Sequence, residues 1–217
     1  MKFKLDKEKL INIELIKVEE DLHQIQLKKE ILLDKIKESS ALRNLLFEKG
    51  KLLEHAIHLA LNIIGFEVSY FDDGKSEFDA VFTSEEGRFI GEAEGRDNKP
   101  INIDKLRQIA LNIHEDLRKE DVVEPAKGVL FGNPYRMLPI DERNEPFTEK
   151  CLHSAIVSST ALIFTPDLFI VAKYLHDNQN KVFAKRCRNA ILKKSGRVLF
   201  PEITKSNSLI FTEAKEE

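Results

Sequence analysis

The chain has 217 residues, 42% of them apolar, with 34 lysines and arginines against 37 aspartates and glutamates for a net charge of -3. That length suits one domain of ordinary core size with an appended element, and the slight acidity gives no overall attraction to phosphate polyanions. There is no glycine-rich phosphate loop, Cys151 and Cys187 have no paired or metal-ligand spacing, and Pro166 and Asp167 cut the longest apolar run. These features exclude nucleotide hydrolysis by this chain alone, a disulfide framework and membrane insertion, and with a charged N-terminus they point to the reducing cytoplasm.

Residues 1–49 contain no glycine or proline, and Ile11, Leu15, Val18, Leu22, Ile25, Leu32 and Ile36 recur at alternating steps of four and three, with Lys29 as the one polar break. This spacing predicts a long coiled-coil helix. A helix of about 40 residues runs about 60 Å, beyond the face of a small domain, so its seam needs a partner. A parallel or antiparallel homodimer through residues 8–48, a docked protein, or a fold-back near Glu38-Ser39-Ser40 would each supply one. Residues 50–217 then form the second domain.

Residues 52–64 read as an amphipathic helix closed by Gly65, and Phe66-Glu67-Val68 starts a strand. Residues 77–83 and 88–94 are β-prone runs around the polar Ser84-Glu85-Glu86-Gly87, which predicts an antiparallel hairpin. Pairing Thr83 with Arg88 sets Val81 opposite Ile90, Asp79 opposite Glu92, and Glu77 opposite Glu94 on one face. Phe82/Phe89, Ala80/Gly91 and Phe78/Ala93 share the other, wholly apolar face. Directly opposed side chains lie about 5 Å apart, where two negative charges repel by roughly 3 kcal/mol at an effective dielectric near 20. A hard cation such as Mg²⁺ relieves this and prefers carboxylate oxygens with substrate phosphate. An exposed edge hairpin with solvated acids is the plainer alternative, and the apolar opposite face argues for a covered sheet.

An acid in one strand, a short turn, and a hydrophobic strand ending in an acid-x-lysine triplet make up the pattern of PD-(D/E)xK nucleases, and Asp79 with Glu92-Ala93-Glu94 resembles it. The resemblance spans roughly residues 50–175. It implies a restriction-endonuclease-like α/β fold, a mixed central sheet flanked by helices, and a metal-dependent DNA endonuclease of prokaryotic defence or DNA repair. Asp79 and Glu92 would hold Mg²⁺ or Mn²⁺, Glu54 from the first helix would add a ligand, and Gln108 would contact substrate or water. Glu94 stands where the family usually has lysine, and would serve as base or third acid. Lys105, one turn before Gln108, is the nearby ammonium on the next helix. Asn112 stands where one branch of the family has tyrosine. Cutting both strands of a duplex favours the homodimer, and an NTPase or sensor protein is a further candidate partner. The alternative is a degenerate nuclease-fold module that binds DNA or a protein through the long helix.

Further along, residues 103–119 read as a helix, 126–131 as a strand, 147–158 as a helix N-capped by Thr148, and 160–164 as a strand. Thr165-Pro166-Asp167 opens another helix. The turn Gly132–Arg136 offers Tyr135 and Arg136 at a strand end, where binding loops concentrate. Between Lys181 and Arg197 there are seven bases and no acid. Lys181, Lys185 and Arg188 fall on one helical stripe, with Arg186 beside it, and form a candidate surface for a nucleic-acid backbone. The last residues, Glu213–Glu217, read as a solvated tail.

Overall fold

The computed structural model describes residues 5–69, 80–119 and 122–203. The chain divides into two compact units, residues 1–41 and 42–217. The first is helix α1 (Asp6–Ser40), 35 residues without a break and about 52 Å long. Its seam residues are exposed, from 50% at Leu32 to 64% at Ile25. The second unit starts before residue 50, because Leu45 and Leu46 on the short helix α2 (Asn44–Phe47) are buried.

In the second unit α3 (Lys51–Ile64) buries Leu53, Ala56, Ile57, Ala60, Leu61 and Ile64, a stripe at helical spacing. It stops at Gly65, whose φ of 91° is the left-handed conformation that terminates helices, and Phe66 N–H closes back on Leu61 O at 3.0 Å. Strand β1 (Glu67–Ser69) follows, then β2 (Ala80–Ser84) and β3 (Gly87–Gly95). The expected register holds over the described part: Thr83 faces Arg88, Val81 faces Ile90 and Ala80 faces Gly91. The turn is tighter than the four residues expected, since Ser84 pairs with Gly87 and leaves Glu85-Glu86 as its loop. Glu77, Phe78 and Asp79 lie outside the described residues, so the Asp79/Glu92 and Glu77/Glu94 pairings do as well.

Helix α4 (Asp104–Asp116), strand β4 (Lys127–Asn133), helix α5 (Glu149–Val157), strand β5 (Ala161–Phe164), helices α6 (Thr165–Asn178) and α7 (Lys181–Lys193), and strand β6 (Gly196–Arg197) complete the unit. The expected caps are present: the Thr148 hydroxyl accepts from Cys151 N–H at 3.2 Å, and Pro166 sits in the first turn of α6. The six strands run in sequence order, β1 to β3 antiparallel and β3 to β6 parallel. This is the mixed central sheet flanked by helices that the sequence predicts, preceded by a long helix.

One face of the sheet, carrying Phe82, Phe89, Val129, Phe131 and Ile163, packs on α3, α6 and α7. Phe82 and Phe89 stack with ring centroids 5.0 Å apart. The other face, carrying Ile90, Leu130 and Leu162, packs on α4 and α5. Strand alternation places Glu92 and Glu94 on this second face with Ile90. At Gly132 a Cβ would lie 2.8 Å from Ile101 and 2.9 Å from Phe147, so the bare backbone lets the segments that start α4 and α5 close over the sheet.

Candidate functional site

Strand β3 and helix α4 run antiparallel, and the contacts between them form a polar ladder. At the start of the strand Arg88 clasps Asp116, its Nη2 donating to Oδ1 at 2.9 Å, and Lys119 adds a bond of 3.0 Å. Burial works against the Asp116 charge, but the hydrogen bonds from Arg88 and Lys119 outweigh it and hold the carboxyl below its ordinary value. Four residues on, Glu92 is wholly buried. Lys105 Nζ donates to its Oε2 at 2.8 Å and Asn112 Nδ2 donates to its Oε1 at 2.7 Å. The same ammonium reaches Gln108 Oε1 at 2.9 Å. Lys105, Gln108, Asn112 and Asp116 lie three, four and four residues apart, so one stripe of α4 carries them all.

The predicted Glu92 and Gln108 are thus brought together through Lys105, the helix lysine closest to the motif. Asn112 is an unforeseen member; its place four residues after Gln108 was the available signal. A buried carboxylate needs an opposite charge and full hydrogen bonding, and Lys105 with Asn112 supplies both.

Glu94 sits two residues on and half-buried. Arg96 clamps its Oε1, with Nε at 2.7 Å and Nη2 at 2.6 Å, while the buried Oε2 has no hydrogen-bond partner among the described residues. Its charge is felt on α5: burial and the Glu94 carboxylate push the Cys151 thiol up to about 11. Glu94 opens onto a cleft of about 520 Å³ lined also by Lys49, Gly95, Arg96, Asp97, Asn98 and Lys99. Hydrogen bonds from Arg136 and then Lys49 hold the Asp97 carboxyl below its ordinary value. The chain before α3 closes one wall, since a Cβ on Gly95 would sit 3.0 Å from the Lys49 Cα. The cleft bases Lys49 and Arg96 were not singled out by sequence reading, because no spacing connects residue 49 with 96.

No protein-family model matches the chain, and no curated protein matches it in sequence. Among solved structures it is similar to the structure of restriction endonuclease FokI, at 11% identity and a TM-score of 0.48. The match covers 69% of this chain and 28% of that one.

Other predicted site residues are placed differently. Glu54 pairs with Lys51 at 3.1 Å near the start of α3. Arg136 follows β4 at the cleft end of the sheet, but its Nε is held by Asp97 at 2.6 Å and its Nη1 by Phe47 O at 2.8 Å. Tyr135 occupies the turn with φ of 50°. Arg188 leaves the basic stripe altogether: two bonds of 2.7 and 3.0 Å tie it to Glu86 and a third of 3.0 Å to Ile64 O. Lys181, Lys185 and Arg186 are exposed on α7, which packs against the face of the sheet opposite to Glu92. Lys181 and Lys185 line a separate groove of about 700 Å³ with Glu85, at the far end of β3 from Glu94.

Among the described residues no group of three or more histidines, cysteines, aspartates and glutamates stands ready to hold a metal. Asp79 lies outside that set. The residues present fit a hard divalent ion in kind: two strand carboxylates on one face, one with a buried oxygen that has no partner among the described residues, beside a cleft. No helix of the described residues is long and apolar enough to cross a membrane.

Proposed function

We propose that the chain is a metal-dependent endonuclease that hydrolyses phosphodiester bonds in DNA, with Lys105 supplying the ammonium that the strand motif lacks. The observation that carries this reading is the Lys105 Nζ to Glu92 Oε2 contact of 2.8 Å, with Gln108 on the same ammonium. A lysine at position 94 would project from β3 on the face that Lys105 approaches from α4, so the helix offers a positive charge to the same space. Asp79, Glu92 and the Oε2 of Glu94 would hold Mg²⁺ or Mn²⁺, with Glu54 as an outer acid. The ion would supply Lewis-acid polarisation of the phosphate and an activated water.

The chain's own residues have separable parts. Lys105 would offset charge building on a phosphoryl oxygen, a task that needs a preorganised cation. Gln108 would orient Lys105 through its Oε1 and present its amide to water or substrate. Asn112 fixes the rotamer of Glu92, and Arg96 fixes that of Glu94. Lys49, Arg96 and Lys99 around the cleft are better placed to meet the scissile phosphates than the α7 stripe, and Lys181, Lys185 and Arg186 would touch a duplex only beyond the sheet edge. Homodimerisation through the α1 seam, within residues 8–48, would pair two such sites, and an NTPase or sensor protein remains the alternative occupant of the seam. Prokaryotic defence and DNA repair are the settings that fit such an activity, in the cytoplasm.

One observation favours the second reading, a non-cutting module that binds DNA or a protein: Lys105 and Arg96 already neutralise Glu92 and Glu94 internally. Cleavage of supercoiled plasmid and linear single- and double-stranded DNA with Mg²⁺ or Mn²⁺ decides between them. Cutting that disappears with chelator, with Glu92→Gln and with Lys105→Met supports the enzyme. A wild type that binds DNA and cuts none with either ion supports the module.

A further inference from the structure

We infer that α1 pairs with the α1 of a second copy of this chain in antiparallel orientation, with Leu22 of each helix packed on the partner's Ile25 at the centre. This rests on the self-association proposed above and adds its direction and register.

The seam is an unpartnered apolar face on an unbroken 35-residue helix. Its core positions are Ile11, Val18, Ile25 and Leu32, alternating with Leu15, Leu22, Lys29 and Ile36. The residues immediately before the second set flank the core, where charges set partner choice and orientation. They are Glu14, Asp21, Lys28 and Lys35, acidic in the first half of the helix and basic in the second. Only an antiparallel pair turns that split into attraction, since like flanks then face each other. Glu14 meets the partner's Lys35 and Asp21 meets the partner's Lys28, and the dyad repeats both.

One register satisfies both flank pairings, and it fills the core. It sets Ile11 on the partner's Ile36 and Leu15 on the partner's Leu32, with no seam residue overhanging. Lys29 then meets the partner's Val18, where its long stem can cover apolar surface and its ammonium can reach water. The parallel in-register alternative stacks Lys29 on the partner's Lys29 inside the core. It also sets Glu14 beside the partner's Glu19, since flanking positions then pair five residues apart. Both contacts are repulsive.

The test uses the full chain and reads association rather than cleavage, so it stands apart from the nuclease reading. A nitroxide on Lys37→Cys reports direction; both native cysteines are buried and their thiols are pushed up to about 11 and about 12, which keeps them from labelling. In the proposed register residue 37 faces the partner's residue 10, so the label pair is about 40 Å apart along the helix. A parallel pair gives a distance near the interhelix spacing, below about 20 Å. Glu14→Lys with Asp21→Lys turns four attractive pairs repulsive and should raise the dissociation constant roughly a hundredfold. Adding Lys28→Glu and Lys35→Glu to the same chain should restore it. In a parallel pair Glu14→Lys would instead tighten association, by meeting the partner's Glu19. A short label distance, or an unchanged or tighter dimer in the double variant, overturns the orientation alone. A monomer at every concentration overturns the self-association with it.

Discussion

Replacing Lys105 by methionine isolates the contact on which the proposed site depends. Glu92 is completely buried, and the substitution removes its cation while keeping the aliphatic stem. Removing one partner of a buried ion pair costs about 3–5 kcal/mol. Here the loss should be smaller, about 2–3 kcal/mol, because Lys105 is 28% exposed and Asn112 still donates to the carboxylate. For a chain of this size that lowers the melting temperature by roughly 5–10 °C. Glu92→Gln should cost less, since a neutral amide tolerates burial and the freed ammonium keeps Gln108 and water. The double variant should be more stable than Lys105→Met alone, giving a coupling of about 1–2 kcal/mol in a urea-unfolding cycle. If the three variants are additive and Lys105→Met costs under about 0.5 kcal/mol, the bridge does not bear on the fold. In that case the placement of Lys105 as the site's cation loses its support. Divalent ion provides a second readout. Mg²⁺ should stabilise Lys105→Met more than the wild type, because the ion would supply the charge that the buried carboxylate has lost.

Three further outcomes follow from particular contacts. The Arg188 guanidinium holds the Glu86 carboxyl at about 2, against an ordinary 4.5, so its stabilisation is complete above the unfolded value and is lost as pH falls from about 4.5 towards 2. Glu86→Gln should therefore cost about 1–2 kcal/mol at neutral pH after allowance for solvent screening, and the gap from wild type should close in acid denaturation followed by circular dichroism. Gly91→Ala puts a methyl 2.8 Å from the Phe131 ring and 3.3 Å from Phe82, which should destabilise by about 1–3 kcal/mol in urea; an unaffected midpoint would mean that the rings move aside freely. Lys99→Glu, at the cleft, should weaken DNA binding and flatten its salt dependence by about one counterion. Lys181→Glu with Lys185→Glu should change binding less, and the reverse ranking in a fluorescence-anisotropy titration would move the interface to α7.

Much of the sheet was legible because strand alternation admits few registers. Val81, Phe82, Phe89 and Ile90 could be buried on two faces in only one phase, and the hairpin adopts it. Gly65 and Thr148 marked helix ends through backbone chemistry that is local to the sequence. The partners of the charged groups were legible only in part. A lysine early in a helix reads as solvated, and that Lys105 turns inward depends on how α4 is rotated against β3. The α4 stripe held a usable hint: Lys105, Gln108, Asn112 and Asp116 keep step with the buried Leu106 and Ile109 instead of falling on the opposite side. Arg188 was read from a local run of charge and Arg136 from a turn at a strand end, and their acceptors, Glu86 and Asp97, are far along the chain. No spacing rule reveals that such bases are already engaged inside the fold.

Holding the proposed site's ammonium on a helix has a mechanical consequence. A lysine on β3 would be locked by ladder bonds to its neighbouring strands, whereas Lys105 is only as fixed as the seating of α4. That helix begins just after Ile101, which exchanges backbone hydrogen bonds with the segment leading into α5: its N–H donates to Pro146 O at 2.9 Å, and its O accepts from Thr148 N–H at 3.0 Å. A displacement of about 1 Å can cost a hundredfold in rate when it misaligns a reacting charge. Any load that levers α5 would tune the proposed catalysis through the seating of α4.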